Sequence, residues 1–84
     1  MTSRAELRKI LADLNPDEPI GNLTIYVDAF VEYKEAQRNI AEHGAIVFHP
    51  KTGAPIENPY LSVRDKTAAR LAKFDLEADP LWSD

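Results

Sequence analysis

Lys66, Arg70 and Lys73 are spaced by four and three residues, which sets three cations on one flank of a helix, with Arg64 close by in the sequence. A row of this kind can contact the phosphates of double-stranded DNA, each contact displacing bound counterions. It suits two other situations as well. One is a solvated face near a helix C-terminus, where the dipole favours bases, and the other is salt bridging between subunits. Arg4 and Arg8 form a lesser pair at i, i+4.

Little else in the chain can do chemistry. His43 and His49 are separated by a helix end and a strand, and Glu42 is their one near acid, so no converging set of metal ligands is expected. Both histidines are read as surface or helix-end residues, and His43 suits a last helical turn. Lys51-Thr52-Gly53 follows Pro50 and lacks the preceding glycine of a phosphate cradle, so it reads as a hairpin turn. Nucleophile-elbow, Walker, dinucleotide and zinc-protease motifs are absent, there is no cysteine, and the serines lack nearby His-Asp partners in sequence. The expectation is a protein that binds rather than catalyses, with no cofactor and no metal.

The chain of 84 residues carries ten Lys or Arg against fourteen Asp or Glu, a net charge of −4. The excess is local. Met1 to Phe74 holds ten bases and ten acids, whereas Asp75 to Asp84, DLEADPLWSD, holds Asp75, Glu77, Asp79 and Asp84 and no base. The boundaries expected are a single helical domain over 1–74, with its core in 22–74, and an acidic tail over 75–84. Such a tail can be a solvated end or a docking peptide in which Leu81 and Trp82 fill a partner's pocket. A further possibility is that Trp82 folds back on its own body or on a neighbouring subunit.

A domain this short buries only about 60% of its unfolded surface, and without bridges or metals association is a common remedy. A homo-oligomer is therefore expected. No signal-peptide pattern opens the chain and no apolar run approaches the roughly 20 residues of a membrane helix. The expectation is a soluble, cytoplasmic protein without membrane contact.

The elements follow from periodicity and punctuation. Ser3 and Glu6 have capping-box spacing, and Leu7, Ile10, Leu11 and Leu14 recur at helical steps, which predicts a short helix from about Arg4 to Leu14. The DEPIGN segment, with Pro16 before it, reads as a connection, and Asn22 or Thr24 as the cap of a long helix to about His43. Its stripe is Leu23, Tyr26, Phe30, Tyr33, Gln37 and Ile40, and Gly44 closes it. Ile46-Val47-Phe48 and the arm around Ala54-Pro55-Ile56 form a small hairpin or extended arm, in which Pro55 is confined to an edge or a non-bonded position. Asn58-Pro59 starts a last helix whose face is Tyr60, Val63, Thr67, Leu71 and Phe74. The fold expected is mainly α, with the long and last helices antiparallel. Tyr26, Phe30 and Tyr33 read first as core, and with Phe48 of the hairpin they are the candidates for an oligomer interface.

From Leu23 to Phe74 this order resembles the phage terminase small subunit family, in the branch built as long helix, hairpin and helix. The resemblance is carried by YVDAFVEYKEAQRNIAEHG, by IVFHPKTGAPIENP with its glycine turn, and by YLSVRDKTAARLAKF. It implies an aromatic near Tyr33, a small-residue interface near Ala36, and paired bases on the helix after Asn58-Pro59. It further implies a non-catalytic subunit of the viral packaging machine in the host cytoplasm. Such a subunit forms a ring-like homo-oligomer, marks double-stranded viral DNA and presents it to the large ATPase/nuclease subunit. The acidic end, in place of a basic extension, adds weight to partner docking. The alternative is a small helical adaptor or inhibitor that binds a protein through its acidic tail and ignores DNA.

Overall fold

The computed structural model describes residues 2–83, in the order α1 (Arg4–Leu14), α2 (Ile20–His43), β1 (Ile46–Phe48), β2 (Pro55–Glu57), α3 (Tyr60–Leu71) and α4 (Asp79–Trp82). The Ser3 hydroxyl accepts from the Glu6 N–H, the N-cap that the spacing predicts, and donates to the Glu6 carboxylate, so the backbone half of a capping box is not formed. Leu7 and Leu11 are buried, while Ile10 and Leu14 are 38% and 40% exposed, so half of the expected stripe faces the core. Asn15 ends the helix by returning both its backbone and side-chain N–H groups to the Leu11 carbonyl.

α2 starts earlier than the sequence suggested. Pro19 is its cap, at φ −58° and ψ 139°, and its carbonyl accepts from Leu23 N–H. The Thr24 hydroxyl instead donates back to the Ile20 carbonyl, and Asn22 donates to the Glu18 carboxylate, so neither caps. Pro19, its φ fixed by the ring, here takes the extended ψ of a residue just before a first turn, and Ile20, Gly21 and Asn22 join the helix. At the other end Gly44 takes φ 85°, a backbone conformation that side chains resist, and its N–H reaches the Ile40 carbonyl.

α2 is the axis of the molecule. Leu23, Tyr26, Val27, Ala29, Phe30 and Ala36 are buried along it. Ala29 and Ala36 have no exposed surface, and with the half-buried Tyr33 they recur at i, i+4 and i+7 along α2. α3 runs antiparallel to α2. Asn58, just before α3, meets Asn39 near the end of α2, and Phe74, just after α3, meets Tyr26 near the start of α2 with ring centroids 5.8 Å apart. Thr67 and Leu71 are buried, whereas Tyr60 is 38% exposed and lies at the margin.

Asn58 connects three elements. Its Nδ2 donates to Asn39 Oδ1 and to the Gly44 carbonyl, each at 2.9 Å, and its Oδ1 accepts from Tyr60 N–H as the cap of α3. It is 2% exposed. Asn58→Ala would leave the Gly44 carbonyl and the Tyr60 N–H without these partners in a buried place. The expected loss is about 2–3 kcal/mol in a urea titration; a change under about 0.5 kcal/mol would mean water replaces those bonds at no cost.

Candidate nucleic-acid and partner surfaces

The long α3 face directed at α2 determines where the α3 bases can point. Successive residues turn by about 100°, so Lys66, Arg70 and Lys73 share an arc of about 60°, flanking the buried Thr67 and Leu71. All three are exposed, and among the described residues none pairs with a carboxylate. Lys73 lies in the turn after α3, which keeps helical progress through a bond from its N–H to the Arg70 carbonyl. Arg64 is not part of this row. The same period places it about 160° from Lys66, and its Nε donates to Asp65 Oδ1 at 3.1 Å. Arg4 is likewise engaged elsewhere, in an ion pair with Asp28 that ties α1 to α2.

The histidines do local work. His49 Nδ1 accepts from the N–H groups of Lys51 and Thr52, at 3.1 and 3.3 Å, and the His49 carbonyl accepts from Gly53 N–H. The backbone donors of the Lys51-Thr52-Gly53 turn are thus directed inward, which is the hairpin turn of the sequence reading and not an anion cradle. His43 is exposed beside Glu42. Among the described residues no cluster of His, Cys, Asp and Glu could hold a metal.

The aromatic candidates divide by exposure. Tyr26 and Phe30 are 6% exposed within a single chain and Tyr33 is half-buried, whereas Phe48 is 71% exposed. Compared with known families, residues 4–77 match the one described as phage terminase, small subunit. The chain belongs to that family. No curated protein and no solved structure matches it. The match starts ahead of the segment that carried the resemblance in the sequence, and it includes α1 as well as the helices and hairpin.

The family match extends to Glu77, where the chain has left α3 and is held against α1. Asn15 Oδ1 accepts from Glu77 N–H, and Asn15 Nδ2 donates to the Glu77 carbonyl, both at 2.9 Å. Ala78 and Leu81 then enter the core. Trp82 lies edge-on to Phe30 at 4.7 Å and to Tyr33 at 5.7 Å, its Nε1 donates to the Tyr26 hydroxyl, and the Lys34 ammonium lies 5.6 Å from its ring. Leu81 and Trp82 are thus placed on their own helices, the folded-back arrangement, while Asp75, Glu77 and Asp79 remain exposed. The sequence signal for this was the pair of large apolar residues among acids; the Asn15 clamp had none. Trp82→Ala is expected to cost about 1.5–3 kcal/mol in urea unfolding, and a chain ending at Phe74 more, since it also uncovers the sites of Ala78 and Leu81. An unchanged midpoint in both would mean the segment adds no stability.

Proposed function

We propose that this chain is a non-catalytic subunit of a phage DNA-packaging terminase, acting in the host cytoplasm. It assembles into a closed, ring-like homo-oligomer, holds double-stranded viral DNA and presents it to the large ATPase/nuclease subunit. The observation that carries the DNA contact is the row of Lys66, Arg70 and Lys73, exposed on one flank of α3 and unpaired with acids among the described residues. One such row is a weak site, and repetition around an assembly multiplies it by avidity. The net charge of −4 argues against tight binding by a lone chain. Arg64 contributes at most from another side of the helix.

The contact with the large subunit is assigned to the C-terminal segment. Its exposed acids steer the encounter with a basic surface, and the exposed edge of Trp82 gives an apolar contact while Leu81 anchors the segment. No helix among the described residues is long and apolar enough to cross a membrane.

The experiment is retardation of viral DNA over a salt series, with sedimentation of the same samples to give the mass of the binding species. The expected result is binding by the oligomer that weakens steeply between low and moderate salt. Absence of retardation at the lowest salt returns the chain to the reading of a small adaptor or inhibitor that binds protein alone.

A further inference from the structure

Ile46 and Phe48 are 56% and 71% exposed, two large apolar side chains on one face of a three-residue strand. Their backbone groups are equally open. β1 and β2 pair with Val47 opposite Ile56, and the bonds of Asn58 N–H to the Ala45 carbonyl and of His49 N–H to the Ala54 carbonyl bracket that pair. In an antiparallel ladder the bonded positions alternate, so residues 45, 47 and 49 face β2 while Ile46 and Phe48 direct N–H and C=O outward. Among the described residues the sheet has two strands, and no third pairs with this edge. The opposite edge is different. There Pro55, opposite Phe48, has no N–H to offer, and Glu57 adds a charge.

We propose that the outer edge of β1 is a strand-addition site for β1 of a second copy of this chain. The two strands run antiparallel about a two-fold axis at Val47. In that register Ile46 of one copy lies opposite Phe48 of the other, and each such pair exchanges both of its outward backbone bonds. Their side chains meet on the same face, so the strand is complementary to itself. Ile46-Val47-Phe48 carries no charge to repel its copy, and it has none of the lysines or prolines that usually blunt an open edge. Pairing β1 with the β2 edge of a neighbour would lose a bond at Pro55 and set Glu57 beside the apolar pair. The inference rests on the oligomer reading and names one of its contacts, a two-fold one, which would pair subunits across the face of a ring.

Amide exchange resolved by residue tests it over a range of protein concentration. Exchange at Ile46 and Phe48 is expected to slow about tenfold or more as the assembly forms, with His49, already bonded within the hairpin, unchanged. Ile46→Pro removes an outward donor and leaves the inward ladder intact; with Phe48→Lys it is expected to weaken self-association about tenfold or more, with helical content and Trp82 fluorescence kept. An assembly that forms while both amides still exchange fast, and that survives Ile46→Pro, overturns the β1 contact and leaves the oligomer standing. A chain that is monomeric throughout overturns both. Protection that appears only when the large subunit is added overturns the second copy in favour of a foreign strand.

Discussion

Phe30→Ala is expected to remove a large share of the protein's stability and to shift its urea midpoint far below that of the parent. Phe30 is 6% exposed and belongs to the cluster that includes Leu7, Leu11, Val27 and Leu81. Its ring also supports Trp82, edge-on at 4.7 Å. Removing a buried phenylalanine costs about 3–5 kcal/mol, partly as lost transfer energy and partly as the cavity left behind. A domain of this length has a total stability on the order of 5–10 kcal/mol, so the loss takes a large share of it. The helices cannot close the gap, because α1, α2 and the C-terminal segment each contribute side chains to the same cluster. Urea unfolding followed by Trp82 fluorescence measures it, and Phe48→Ala is the comparison. Phe48 is 71% exposed, so its truncation should change the stability of the single chain by no more than about 0.5 kcal/mol. A Phe30 variant within about 1 kcal/mol of the parent would show that this face is not part of the core.

The second large effect concerns DNA. Reversal of Lys66, Arg70 and Lys73 to glutamate together is expected to abolish retardation at every salt concentration at which the parent binds. Each phosphate contact adds about 0.9 to the slope of log affinity against log salt, so the parent should show a slope that grows with the number of rows engaged. Arg70 lies in the last turn of α3 and Lys73 just beyond it, where cations gain about 0.3–1 kcal/mol each from the dipole. The triple reversal therefore carries a stability cost, and a triple change to glutamine separates that cost from repulsion of phosphate. Glutamine variants should fold, assemble and bind with a shallower slope. Arg64→Ala, on another side of the helix and paired with Asp65, should leave the slope within error of the parent. Retention of full binding by the reversed protein would assign DNA contact to another surface.

Local features of the fold were readable because local chemistry decides them. Ser3 with Glu6, Gly44 at positive φ and Asn58 as the cap before α3 each act within a few residues, and each is found where the spacing placed it. The start of α2 was misread because Asn22 and Thr24 are good caps by type, while Pro19 provides the first carbonyl by conformation alone. Val27, Ala29 and Ala36 could not be picked out from one stripe. α2 is covered on more than one side, by α3 and by α1, so its buried residues spread round the helix and the single-face pattern fails.

The sequence by itself determined α1, the body of α2, the hairpin turn, and α3 with its base row, since capping, β-branching, proline and helical period are properties of neighbouring residues; α4 within the acidic segment was not read from it. Tertiary structure alone decided which residues are core. It attached the acidic C-terminal segment to the body through Asn15, Leu81 and Trp82. Those contacts join residues as many as 62 positions apart. They depend on where three helices bring their side chains together, which no spacing within one segment encodes.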